Sequence, residues 1–134
     1  MPGGPMPVVV DASALIELLL QTRRAPAVLQ AVGNTELVAP DVINPEVLSS
    51  LRRLERMGQL QTRRASQAVD DLLDAQVRRL PTLPLLPAAW TLRASVSSFD
   101  ACYVALARDL GCPLVTGDLR LSRAPKLGVP LLTV

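Results

Sequence analysis

Apolar residues along the chain fall into two alternating patterns. Short unbroken runs give one, and three-to-four-residue periodicity gives the other. Val8-Val9-Val10 follows Pro7 as a continuous β-branched run, which reads as a strand buried on both faces, as in a parallel sheet. It stops at Asp11, and Ala14-Leu15-Ile16-Glu17-Leu18-Leu19-Leu20 continues in helix-forming residues. Asp11 or Ser13 is placed to cap that helix. Gln21-Thr22-Arg23-Arg24 interrupts it, a second short helix spans Ala25 to Val32, and Gly33-Asn34 ends it. Glu36-Leu37-Val38-Ala39 reads as a second strand closed by Pro40.

Two longer amphipathic segments follow. A helix from Asp41 to about Met57 places Val47, Leu48, Leu51 and Leu54 at helical spacing, with Pro45 in its first turns and Gly58 at its end. A second, from Thr62 to Leu80, carries Ala65, Val69, Leu72, Leu73 and Val77. Together they predict a helical hairpin with Arg52, Arg53, Arg56, Arg63, Arg64, Arg78 and Arg79 on its outer positions. Leu83–Leu86 reads as a third strand and Pro87 opens a short helix through Trp90 and Leu92. Ser97-Ser98 caps a helix from Phe99 to Leu110, with Phe99, Cys102, Tyr103, Leu106 and Leu110 as its stripe and Gly111 as its C-cap. Pro113-Leu114-Val115-Thr116 is a fourth strand, Gly117-Asp118 turns off its end, and Val129–Val134 is a fifth. Strands alternating with helices predict an α/β fold with a mostly parallel central sheet of four to five strands flanked by helices.

Composition narrows the chemistry. The 134 residues are 49 % hydrophobic, enough for one domain with a sizeable core. No apolar run approaches the roughly 18 residues that span a bilayer. The opening Met1-Pro2-Gly3-Gly4-Pro5-Met6-Pro7 lacks the basic and apolar regions of a signal peptide and reads as a loose tail, so a cytoplasmic location is expected. Histidine is absent, which removes Ser-His-Asp and Cys-His catalysis and any His-ligated metal. Cys102 and Cys112 without histidine make no zinc site and read as small buried hydrophobes. Net charge is +2, from 13 Arg, Lys126 and 12 acidic residues, too balanced to prove nucleic-acid binding. With one Phe, one Trp and one Tyr, a multi-aromatic base-stacking platform is not expected.

Core packing does not account for four acids. Asp11 ends the first strand, where open α/β sheets bind ligands. Glu46 sits early in the third helix beside its apolar stripe. Asp100 lies in the first turn after Ser98, and Asp118 follows the fourth strand. Each has an ordinary reading: Asp11 as a cap, Asp100 as a complement to the helix dipole, Asp118 as a turn residue and Glu46 as a solvated helix acid. Jointly they point elsewhere, because strand ends and helix starts share one edge of a parallel α/β sheet. Carboxylates about 4 Å apart at an effective dielectric near 20 repel by about 4 kcal/mol per pair. A fold tolerates that if the acids protonate or a cation neutralises them. Oxygen-only donors favour magnesium or manganese over zinc or copper.

These stretches carry a resemblance. Val-Val-Val-Asp11-Ala-Ser13, Pro45-Glu46-Val-Leu-Ser-Ser-Leu-Arg-Arg53, Ser98-Phe-Asp100-Ala-Cys-Tyr-Val-Ala-Leu-Ala107 and Leu-Val-Thr116-Gly-Asp118-Leu-Arg-Leu follow in order and spacing. The chain resembles the PIN domain, and more narrowly the VapC-type toxins of bacterial toxin–antitoxin pairs. The resemblance implies residues 8–134 as one PIN-like ribonuclease domain, and the flexible tail of residues 1–7 departs from the family's short start. It implies a magnesium-dependent endoribonuclease, with manganese as a possible substitute. Asp11, Glu46, Asp100 and Asp118 would form the catalytic site, with Asp11 and Asp100 as principal metal ligands and the other two acting partly through water. Ser13 and Thr116 would be their hydrogen-bonding neighbours. Expected partners are RNA, a small antitoxin that binds DNA through its own domain, and a second copy of the chain. Apolar helix surface near Ala12–Leu20 and Val47–Leu54 would serve the last two.

Two other classes fit parts of the pattern. A receiver-type phosphoacceptor module is also a small α/β domain with clustered acids and magnesium. It calls for an acidic pair after the first strand and a lysine after the last long strand, whereas here Ala12-Ser13 follows Asp11 and the lone lysine is Lys126. A non-catalytic binding protein on the PIN fold has no reason to keep all four acids.

Overall fold

The computed structural model describes residues 6–124 and 127–134. Most of the expected tail, residues 1–7, and Lys126 lie outside the described residues. Five strands form one sheet: β1 (Pro7–Val10), β2 (Glu36–Pro40), β3 (Arg78–Leu80), β4 (Leu114–Thr116) and β5 (Leu131–Thr133). Their order is β3-β2-β1-β4-β5 and every neighbouring pair is parallel. The Val8–Val10 run takes the centre, where a strand is covered on both faces. Val9 pairs Val38 on one side and Leu114 on the other, and Val10 pairs Val115. Val9 and Val10 are completely buried.

Seven α-helices occur among the described residues: α1 (Ala12–Leu20), α2 (Ala25–Val32), α3 (Ile43–Arg56), α4 (Thr62–Asp74), α5 (Leu86–Trp90), α6 (Ser98–Leu110) and α7 (Leu119–Ser122). α6 lies against β1, β2 and β4 and is covered by α5, while α3 and α4 pack with α1. This central seat buries α6 over the whole stretch Ala101–Ala107. Its expected stripe is therefore too narrow in the middle and too long at the ends, since Phe99 and Leu110 are exposed. Both cysteines are buried and unpaired.

The third strand differs from the expectation. α4 stops at Asp74, and Arg78–Leu80, expected as the tail of that helix, is the edge strand β3 paired to Val38–Pro40. Leu83–Leu86, expected as the strand, is instead a 3-10 turn (Leu83–Leu85) leading into α5. Pro84 and Pro87 cannot donate to a sheet ladder but fit the opening of helical turns. The hairpin's apolar faces are also narrower than expected: Val47, Leu51, Ala68 and Leu72 are buried, while Leu48 and Leu73 face outward.

Candidate active site

In this strand order the chain moves from β1 toward β2 and β3, then crosses back to β4 and β5. The reversal falls between β1 and β4, the switch point where open parallel sheets form ligand crevices. Asp11 and Thr116 end the two strands there, and Asp11 N–H donates to Val115 O at 3.1 Å.

Asp11 is buried, with 4 % of its surface exposed. Its Oδ1 accepts from Ser13 Oγ at 2.6 Å and from Ala14 N–H at 3.0 Å, so it caps α1 as the sequence allows. Thr116 Oγ1 donates to its Oδ2. Both hydroxyls are themselves held: Ser13 Oγ accepts from Gly117 N–H at 2.8 Å, and Thr116 Oγ1 from Asp118 N–H at 2.9 Å. This lattice ties the end of β1 to the turn after β4. Burial nonetheless pushes the Asp11 carboxyl above its ordinary range against those three hydrogen bonds, and the charge of Asp100 adds to the rise.

Asp100 stands in the first turn of α6, which Ser97 caps by accepting the Asp100 N–H at 3.2 Å. Burial raises its carboxyl too. Ser97 pulls it down, Asp118 pushes it up and Arg120 pulls it down. Glu46, in the first turn of α3, accepts a 2.6 Å hydrogen bond from Tyr103 on α6. Its carboxyl is raised by burial, lowered by that bond, and raised again by Asp100 and Asp11. Asp118 caps α7 and pairs with Arg120, whose Nη2 lies 3.2 Å from Oδ2. Arg120 holds the Asp118 carboxyl below the usual range.

Asp11 and Glu46 thus feel the charge of Asp100, Glu46 also feels that of Asp11, and Asp100 feels that of Asp118. Among the described residues, Asp11, Glu46 and Asp100 have no cationic side chain in ion-pair contact. The donors on offer are carboxylate and hydroxyl oxygens, the set a hard divalent cation prefers. No three His, Cys, Asp or Glu side chains among the described residues are grouped closely enough to cage a metal ion by themselves.

The sequence matches the PIN domain family over residues 8–127. The chain belongs to the PIN domain family. The resemblance read from the four acidic stretches is borne out, and a receiver-type module is excluded. The chain is 40 % identical over 130 residues to the VapC ribonuclease Mb0985 of Mycobacterium bovis, covering 95 % of this chain and 98 % of that one. It is 40 % identical over 121 residues to ribonuclease VapC3 of Mycobacterium tuberculosis, covering 90 % of this chain and 88 % of the relative. Among solved structures, VapBC2 from Rickettsia felis bound to a promoter DNA fragment aligns with a TM-score of 0.68 at 11 % identity, covering 96 % of this chain and 99 % of that one. PAE2754 from Pyrobaculum aerophilum aligns at 0.65 with 23 % identity, covering 95 % and 84 %. At those identities the structural likenesses speak for the fold.

Two members of this PIN site carry no clear signal in the sequence. Tyr103 reads as a core residue on the α6 stripe, yet its hydroxyl reaches Glu46. Burial and the Glu46 charge push that hydroxyl far up, so it stays a donor. Arg120 lies two residues beyond Asp118, a spacing that in a loop says nothing of direction. The basic hairpin face also needs revision. Arg79, expected outside, is half-buried and donates to Leu72 O, Ala75 O, Val77 O and Asn44 Oδ1. Arg64 donates to Leu19 O at 2.6 Å, and Arg78 pairs with Glu36 on the neighbouring strand.

Proposed function

We propose that the chain is a divalent-metal-dependent endoribonuclease acting as the toxin of a toxin–antitoxin pair. The observation that carries the reading is the match to the PIN domain family, with Asp11 at the sheet's switch point and Glu46 and Asp100 near enough to act on one another's charge. The 40 % identity to ribonucleases of VapC type supports it.

Asp11 and Asp100 would be the principal ligands of magnesium, or manganese in its place, with Glu46 and Asp118 acting partly through water. When bound, such an ion acidifies water and neutralises phosphate charge. The protein supplies the rest. Ser13, Ala14 N–H and Thr116 fix the Asp11 carboxylate in place and favour its ionised form. Tyr103 occupies Glu46 Oε1, which leaves Oε2 to orient a water or take its proton. Arg120 neutralises Asp118 and stands near enough to Asp100 to lower its carboxyl. It thereby offers positive charge where an incoming phosphodiester adds negative charge.

The partners follow from the same reading: RNA as substrate, and a small antitoxin that covers the acidic pocket and contacts DNA with its own domain. A second copy of the chain is proposed to pair through apolar helix surface, in the cytoplasm. No helix among the described residues is long and apolar enough to cross a membrane. Purified protein is expected to cut structured RNA with magnesium or manganese. Asp11→Asn and Asp100→Asn should each reduce cutting at least about 10³-fold while the fold persists. Cutting of undiminished rate in excess EDTA would refute the metal mechanism.

A further inference from the structure

A site that must receive a polyanion needs positive charge beside it, and α3, which carries Glu46, also presents three exposed arginines. α3 carries Glu46 in its first turn and Arg52, Arg53 and Arg56 toward its C-terminus. Residues 46, 49–50, 53 and 56–57 recur along one helical face, each step rising about 5.4 Å. Two hollows follow that face. The first, about 250 Å³, is lined by Pro45, Glu46, Ser49, Ser50 and Phe99. The second, about 640 Å³, is lined by Ser49, Ser50, Arg52, Arg53, Arg56 and Met57. They share Ser49 and Ser50, so the arginine hollow adjoins the one that Glu46 lines.

Arg52, Arg53 and Arg56 are exposed, and none forms an ion pair among the described residues. Of the other hairpin arginines, Arg63 on α4 is exposed, while Arg64 engages Leu19 O and Asp71, Arg78 engages Glu36, and Arg79 engages carbonyl oxygens around the end of α4. We propose that Arg52, Arg53 and Arg56, with the hydroxyls of Ser49 and Ser50, form a phosphate track that seats the RNA backbone and leads it to Glu46. This rests on the ribonuclease reading above and names the surface that reading needs. Planar guanidinium forks suit phosphate oxygens, and neutral hydroxyl donors are the fitting contacts where the track meets carboxylates. The arginine hollow holds no aromatic side chain, so it grips the backbone and leaves sequence choice to other contacts.

The test is the salt dependence of binding. Anisotropy of a short fluorescein-labelled single-stranded RNA of mixed sequence is followed in EDTA across a potassium chloride series. The proteins compared are the parent, an Arg52→Gln/Arg53→Gln/Arg56→Gln variant, and an Arg23→Gln/Arg24→Gln control on an exposed turn outside α3. Glutamine keeps the helix, and circular dichroism checks that it has. Each single-strand phosphate contact contributes about 0.7 to the slope of log K against log salt, so the triple variant should lose about 1.4–2.1 of slope and bind about 10–100-fold more weakly. The control pair should keep the parental slope. A triple variant with parental slope and affinity, or a control pair that loses as much, overturns the track and leaves the stripe to solvent or a protein partner. If the parent cuts RNA with metal while the triple variant binds as the parent does, only the track fails. A parent that neither binds nor cuts RNA brings down both readings.

Discussion

A carboxylate sealed to 4 % exposure at the end of an apolar strand requires compensation, and Asp11 receives it from hydroxyls and a backbone amide rather than from a cation. Those donors hold its orientation but leave the charge in place, which is how a binding group differs from a structural ion pair. Glu46 is treated the same way by Tyr103. Removing that hydroxyl as Tyr103→Phe keeps the ring's packing and takes a donor from a charged acceptor, a loss of about 1–2 kcal/mol. RNA cutting should fall about tenfold. The acid limb of the pH–rate profile should move to higher pH, because the bond lowers the Glu46 carboxyl and its loss lets burial, Asp100 and Asp11 raise it further. An unmoved limb would show that Glu46 does not titrate in the reaction. The acids, Ser13 and Thr116 are legible in the sequence because each sits beside a local landmark, a strand end or a helix start. Tyr103 is not, because a tyrosine on an apolar stripe looks the same whether or not its hydroxyl meets a carboxylate three helices away in the chain.

At the scale of elements, Arg79 shows where sequence patterning misleads. Arg78-Arg79-Leu80 continues the polar–apolar rhythm of α4, and nothing local separates a helix tail from a charged edge strand. Edge strands carry such charges because one of their sides has no partner. The Leu83–Leu86 run fails for the converse reason, since periodicity alone does not tell a short apolar run in a strand from one in a helical turn. β1, α1, α2, β2, α6 and β4 were legible within a residue or two because caps, prolines and glycines punctuate them; Gly111, at φ 63°, is one such stop. Arg79 reaches Leu72 O, Ala75 O and Val77 O and so fastens the end of α4 to β3. Arg79→Ala should cost about 2–3 kcal/mol in urea unfolding, since it strips the charged donor from several carbonyls at once. RNA affinity should stay near parental, which separates Arg79 from the exposed arginines of α3.

For the whole molecule, the acidic site sets stability against pH. The Asp11, Glu46 and Asp100 carboxyls are raised above the free values of 3.8, 4.5 and 3.8. In the window between each free value and its raised value the folded chain binds more protons than the unfolded one. Stability of the metal-free protein therefore falls as pH rises through that window and stays lowered at neutral pH. Asp118, held low by Arg120, acts in the opposite sense: its contribution is present above the free value and is lost as pH falls through its lowered one. Chelated protein should thus melt higher in mild acid than at neutrality, until broader acid unfolding intervenes. At neutral pH, Asp100→Asn should raise the chelated melting temperature by about 2–4 °C while abolishing activity, a modest gain because this acid is partly solvated. A melting temperature lowered by Asp100→Asn would mean that its charge is satisfied within the chain. Saturating manganese should raise the parent's melting temperature by mass action and leave the variant's unchanged.

If acids distant in sequence hold one ion together, its binding must respond to each of them. Calorimetric titration of manganese into the parent and into Asp11→Asn, Glu46→Gln, Asp100→Asn and Asp118→Asn addresses this without relying on catalysis. Binding in the parent should be lost in the Asp11 and Asp100 variants and weakened in the other two. Parental affinity in all four variants would contradict a shared site.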